Sequence, residues 1–297
     1  MNLNLGFKDL FFPLMKLFIL LLAASSMCAS AQNVPVYFNH AFLTLDSADI
    51  AAIRTSDFIK NEFAGFSTKT TIADSGRKWT GSYIHGIDSY FEMFGPSDVD
   101  DSIGVSGIGF SVDIAGDMSK LDSQLKKDYK TVKELNHRKM GDKMIPWFTS
   151  LSIDDSAYFS NSHIYFWVME YTHEYFDYNH FDNRNDTFSR IAYLKKYEDE
   201  RKNKILKKFT GIILNVTPQE KAFMSKFLSA CGYTKKDDSI FISPDNFSFQ
   251  FKDRTRENRY SIDSLEFETN STVYKTIAIS KNIRIALHGD KGLIVFE

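Results

Sequence analysis

The sequence predicts an α+β fold of paired β-α-β-β-β units forming curved mixed sheets, with a shorter C-terminal half. Three observations predict it. Short apolar strands recur at residues 37–45, 105–112, 209–216 and 260–267. After the first three, an acid or hydroxyl residue follows at once (Asp46, Asp113 and Thr217), in position to cap a helix. After the first two, the same run of elements then repeats, a helix and three strand candidates. A strand–cap–helix opening that recurs along a chain marks duplicated units.

The first unit spans residues 36–96. Asp46 caps a helix whose apolar residues Ile50, Ile53, Phe58, Ile59 and Phe63 fit one helical face, and Gly65 ends it. Strands follow at 67–72, 78–84 and 89–94, with Asp74-Ser75-Gly76 and His85-Gly86 as turns. The second unit spans 104–171. Its opening strand leads into a helix carrying Met118, Leu121 and Leu125, then strands at 131–139, 144–153 and 164–170, with Gly141-Asp142 as a turn. The two units make one domain, 34–180.

Residues 181–208 begin as a polar loop and continue as a charged linker helix with Leu194, Ile205 and Leu206. A second, truncated domain spans 209–297. Thr217-Pro218 is a strong helix start, and Ala222, Phe223, Phe227 and Leu228 form the apolar face before Gly232 stops it. Strands follow at 239–242 and 247–251. From residue 260 onward only strands are expected, as in a unit that has lost its helix.

The N-terminus reads as a signal peptide, residues 1–31. Lys8 and Lys16 precede the apolar run 18–24, and Ala29-Ser30-Ala31 offers small residues for cleavage after Ala31. That run is shorter than the ~20 residues a membrane-spanning helix needs. The mature chain is therefore expected to be secreted or periplasmic with no transmembrane segment. Cys28 raises a lipoprotein anchor, disfavoured because Met27 stands where a small residue should precede a lipidated cysteine. Cleavage leaves Cys231 as the one cysteine, so the fold stands on its core without an internal disulfide.

Charge is near balance, with 36 Lys and Arg against 38 Asp and Glu, evenly mixed, which argues against nucleic acid as a partner. No phosphate-binding glycine loop, Gly-x-Ser-x-Gly elbow or Cys-x-x-Cys pair is present, so nucleotide, serine-hydrolase and thiol-redox chemistry lack support.

The segments Asn39-His40-Ala41-Phe42-Leu43, Ser89-Tyr90-Phe91-Glu92-Met93-Phe94 and Gly107-Ile108-Gly109-Phe110-Ser111-Val112-Asp113 stand where paired modules carry their first and fourth strands. In this the chain resembles the vicinal oxygen chelate superfamily of glyoxalases, bleomycin-resistance proteins and extradiol dioxygenases, and within it an uncharacterised secreted bacterial branch. The resemblance implies a β-cup holding a divalent metal (Zn, Mn or Fe) on first-strand His or Gln and fourth-strand Glu. Carried over, His40, Glu92 and Glu170 would be the metal ligands, with Gly107 at the fourth position, where no side chain can ligate. The reaction would be that of a lyase, isomerase or dioxygenase on a small oxygen-bearing molecule. The alternative is a non-catalytic module that binds a small ligand or a partner without metal.

The residues carry their own reading. Glu92 or Glu170 in an apolar cup would have a raised pKa and could act as a catalytic base. His40 equally reads as a hydrogen-bonded sheet histidine, and Glu92 as the partner of a Lys or Arg. Arg77, on a hairpin turn, would face an anionic substrate. Glu170, His173, Asp177 and His180 would share one face if helical, as metal pairs in bundles do. The strand-forming run before them favours instead an aromatic lip in which Tyr171 and His173, with Tyr175, Phe176 and Tyr178, bind substrate.

Overall fold

A computed structural model describes residues 34–297. The expected signal peptide, residues 1–31, and Cys28 lie outside the described residues. Strand β1 (Tyr37–Thr44) leads to helix α1 (Ser47–Thr55), which Asp46 caps by accepting the Asp49 amide at 2.8 Å. The expected single helix breaks at Ser56 and resumes as a wide turn over Phe58–Phe63, which lets Ile59 and Phe63 reach the core. Strands β2 (Gly65–Ile72), β3 (Lys78–His85) and β4 (Tyr90–Phe94) complete the module.

The second module repeats it with β5 (Ser106–Ser111), α2 (Asp117–Leu125), β6 (Thr131–Met140), β7 (Lys143–Ile153), a short helix α3 (Ser156–Phe159) and β8 (Ile164–Tyr171). One expectation fails here. Asp113 does not cap α2. It binds the buried Arg190 guanidinium at 2.6 Å, and Gly116 stands at the cap in the left-handed region.

The eight strands run β2-β3-β4-β1-β5-β8-β7-β6. β1 and β5 meet antiparallel at the centre, and each pairs in parallel with its own fourth strand. The order is the same read outward from either side of the centre, so the duplication expected from sequence is the symmetry of the sheet. The sheet also curls until its edges touch, since Ala73 after β2 bridges Arg138 of β6. His137 binds Asp74 beside that bridge at 3.0 Å.

The linker is not one helix. After α4 (His173–Tyr178), it consists of a tight turn Arg184–Asp186, α5 (Arg190–Leu194), a tight turn Lys195–Tyr197 and α6 (Glu198–Arg201), and strand β9 (Leu206–Val216) begins early. Helix α7 (Pro218–Ala230) follows with a reciprocal Thr217–Glu220 cap. Strands β10 (Thr234–Lys235), β11 (Ile240–Ile242) and β12 (Ser248–Asp253) finish a third module. The long hairpin β13 (Ile262–Ala278) and β14 (Ile283–Phe296) replaces a fourth. Their sheet order is β10-β11-β12-β9-β13-β14, the first-module order with the hairpin added.

Residues 34–297 form one compact unit. One face of the eight-stranded sheet packs on the C-terminal sheet and the helices through a continuous core. Phe38 stacks on Phe247 with centroids 4.0 Å apart, and Phe63 meets Phe267 edge-on at 5.3 Å. The other face is lined by a second, aromatic cluster, and the cup lies there.

Candidate functional site

Side chains alternate along β1 and β4. Ala41, Leu43, Phe91 and Met93 enter the shared core, which turns His40, Phe42, Tyr90, Glu92 and Phe94 into the cup. β8 contributes Tyr165, Trp167 and Met169, and the outer strands add Lys69, Trp79, Tyr83, Arg138 and Trp147. Tyr193 and Tyr197 close one side. The cavity measures about 960 Å³, at the upper end of the range of small-molecule sites.

Glycines make room on its floor. His40 and Phe42 pair across the sheet with Gly109 and Gly107. A Cβ on Gly109 would sit 2.4 Å from the His40 ring, and one on Gly107 would sit 2.1 Å from the Phe42 ring. Gly81 likewise lets the Tyr83 hydroxyl and the Glu92 carboxyl meet, since a Cβ there would lie within 2.8 Å of both.

His40 is buried, its ring stacked on Tyr90 at 4.6 Å and tilted only 5° from it. Its Nδ1 donates to the Asn39 amide oxygen at 2.9 Å, and Asn39 in turn donates to the Tyr171 hydroxyl at 3.4 Å. Burial without a carboxylate partner pushes its pKa down to about 3, so the ring is neutral. Glu92 is also buried. Burial pushes its pKa up to about 7, although hydrogen bonds from Tyr83 and Trp79 and the charge of Arg138 pull the other way. A carboxyl so placed exchanges its proton near neutral pH.

The cup thus brings together His40, Glu92 and, at its exposed rim, Arg77, which lies over the Trp79 ring. It does not include Glu170. On β8 that residue alternates onto the opposite face, where its carboxylate accepts the Met118 amide at 2.8 Å and serves the otherwise uncapped start of α2. Nor does it include His173, which is exposed on α4 and binds Asp177 at 2.8 Å. Tyr171, Tyr175 and Phe176 are not a lip. They are buried, and Tyr171 stacks on Tyr193 at 5.0 Å, backing the site without lining it. The alternative helical metal face over Glu170, His173, Asp177 and His180 does not form, because Glu170 lies in the strand that the run before it predicts.

The metal triad of His40, Glu92 and Glu170 therefore does not assemble. Among the described residues no three His, Cys, Asp or Glu side chains gather closely enough to hold a metal. The donor set does not fit the ion that the resemblance implies, because one carboxylate faces away and the fourth position is glycine.

Sequence reasoning missed Lys69, Arg138, Trp147, Tyr193 and Tyr197. Arg138 lies over the Trp147 ring at 4.8 Å, and Lys69 over Tyr197 at 4.3 Å. They converge because the sheet's edges meet, a closure with no local signature.

Fold and cup together define a glyoxalase-like α+β protein, a curled mixed sheet around an aromatic cavity. The chain matches the family of unknown function DUF5829 over residues 38–296 and belongs to it. No curated protein matches the sequence. In structure it is similar to a hypothetical protein from Staphylococcus aureus, with TM-score 0.45 and 13% identity over 76% of this chain and 88% of that one. It is also similar to a xylose isomerase-like TIM barrel/4-hydroxyphenylpyruvate dioxygenase fusion protein, at TM-score 0.39 and 8% identity over 82% of this chain and 38% of that one. A putative dioxygenase from Bacillus subtilis follows at 0.27 and 9%, over 85% and 81%. None of these likenesses assigns an activity to this chain.

Proposed function

We propose that this protein binds a small oxygen-bearing molecule in the cup, with Glu92 as the group that exchanges a proton with it. The observation that carries this reading is the Glu92 carboxyl, buried among aromatic rings on the wall of a cavity of about 960 Å³ and poised near pH 7. A base so poised is available as a general base near neutral pH, for a proton on carbon next to a carbonyl or on a hydroxyl. Tyr83 and Trp79, which donate to Glu92, hold its orientation and stabilise its anionic form. His40, kept neutral by burial and with its Nδ1–H held by Asn39, has Nε2 available to accept a hydrogen bond. No step is assigned to a metal, since the ligand set is incomplete.

A purely binding role is the second reading. It is favoured by the two donors already committed to Glu92, which compete with a substrate for its oxygens. One experiment separates the two. Hydroxy-ketones, 2-oxo acids and phenols are titrated into the purified chain, and tryptophan fluorescence is read, because Trp79, Trp147 and Trp167 line the cup. Saturable change with at least one compound is expected. In D₂O, wild type should place deuterium next to the carbonyl of a bound ketone, and Glu92→Gln should not. Binding without exchange selects the second reading, and no binding anywhere in the panel sinks both.

A further inference from the structure

Among the described residues, two half-buried cations, Lys69 and Arg138, enter the cup without a partner of opposite charge, besides the exposed Arg77 and Lys78. Lys69 comes from β2 and Arg138 from β6, strands at opposite ends of the sheet order. Edge closure at the Ala73–Arg138 bridge brings them together. Arg138 reaches the Thr71 hydroxyl at 3.3 Å and hydrogen-bonds Tyr175 and Tyr193. Behind the same tyrosines, on an otherwise exposed residue, the Lys196 ammonium lies 3.7 Å from the Tyr193 ring centroid.

Several carboxylates line the same cavity, namely Glu92, Asp98, Asp100, Asp101 and Glu134. Among the described residues no carboxylate lies within ion-pair distance of Lys69, Arg138 or Lys196. Asp98 is taken by Arg54 at 2.7 Å. Elsewhere the chain pairs its buried cation, since Arg190 holds both Asp113 and Asp245. The two cup cations also act on each other. Burial and repulsion from Arg138 lower the Lys69 pKa, although Glu200 opposes this. Half-buried like charges that repel one another and face a cavity are costly unless something anionic joins them.

We infer that Lys69 and Arg138, reinforced by Lys196, form the subsite for the anionic group of a planar organic ligand, a carboxylate or a phosphate monoester, whose ring lies against Trp147, Tyr193 and Tyr197. The inference rests on the cup being a ligand site and adds the charge class of the ligand. The planar guanidinium suits two anion oxygens at once, and the lysines supply charge. The anion occupies the end of the cup where the edges close, and Glu92 faces the remainder of the molecule.

The test uses benzoate, phenyl phosphate, inorganic phosphate and the neutral benzamide, read by tryptophan fluorescence and thermal shift on the purified chain. Benzoate or phenyl phosphate should bind saturably, at least tenfold tighter than benzamide and inorganic phosphate. Arg138→Gln and Lys69→Gln should each weaken anion binding at least tenfold and leave benzamide unchanged. Arg184→Gln, on the exposed loop, should leave the binding of both unchanged. If Arg138→Gln fails to fold, Lys69→Gln carries the test. Benzamide binding as tightly as benzoate, or anions indifferent to both substitutions, would overturn the subsite while leaving the cup reading intact. Inorganic phosphate binding as tightly as phenyl phosphate would overturn the organic ligand. If all four probes fail to bind, the subsite is overturned, while the cup reading stands or falls with the hydroxy-ketone, 2-oxo acid and phenol titrations.

Discussion

The two modules of the large sheet share one topology and do different chemistry with it. The first carries His40 and Phe42 on its opening strand, and the second carries Gly109 and Gly107 directly across from them. The fourth strand of the first module points Glu92 into the cavity. Its counterpart in the second points Tyr165, Trp167 and Met169 inward and sends Glu170 to the other face. The acids after the opening strands diverge as well. Asp46 caps α1 and meets the exposed Arg259, while Asp113 is drawn into a buried Arg190–Asp245 network. A doubled fold therefore need not double its site. One half supplies the buried histidine and carboxyl, and the other supplies space, further aromatic wall and, in Arg138, a facing cation.

Breaking the two anchors unequally tests that contrast most strongly. Arg190→Met should cost about 3–5 kcal/mol in denaturant unfolding, because it strands two carboxylates that share one buried cation. Arg259→Met removes a solvent-exposed pair and should cost under about 1 kcal/mol. Equal losses would refute the asymmetry.

The two buried titratable groups of the first module, Glu92 and His40, should respond to pH in opposite directions. Because folding raises the Glu92 pKa to about 7, the folded state holds a proton that the unfolded chain has released, and stability falls as pH rises from about 4.5 to 7. Glu92→Gln should therefore be more stable than wild type at pH 8, by on the order of 3 kcal/mol, and show no such gain at pH 4.5. His40 works the other way. Its folded pKa near 3 makes stability fall as pH drops below about 6.5, so removing Glu92 should expose a profile that rises with pH between about 3 and 6.5. Urea midpoints across pH 3–9 for both chains would check the sign.

Gly109→Ala should destabilise by about 2 kcal/mol, since its Cβ meets a ring held by stacking rather than a flexible side chain. Thermal melts would register it. Smallest of all, Glu170→Gln should lose about 1 kcal/mol by weakening the capped start of α2, with no effect on ligand-induced fluorescence. A binding defect in Glu170→Gln would return that residue to the cup.

Much of the fold was legible because its signals are local. Asp46 and Thr217 cap the helices expected of them, and the turns and strand order follow. The linker was misread as one helix because its charge pattern suits a solvated helix, yet Tyr193, Leu194 and Tyr197 turn inward to back the cup. Glu170 was misplaced for a different reason. The run 164–169 is apolar on both faces, so its period does not say which residues face the cavity. Lys69 and Arg138 were invisible for a third reason. Neighbours created by edge closure are far apart in sequence and ordinary in their own strands.

The glycine beneath the His40 ring has a consequence for how this site can change. A larger residue there would first have to evict the imidazole above it, and one at Gly107, the fourth ligand position, would have to displace the Phe42 ring. Descendants of this chain that recruit an ion must start elsewhere in the hollow, and those that keep the present ring must keep the gap under it.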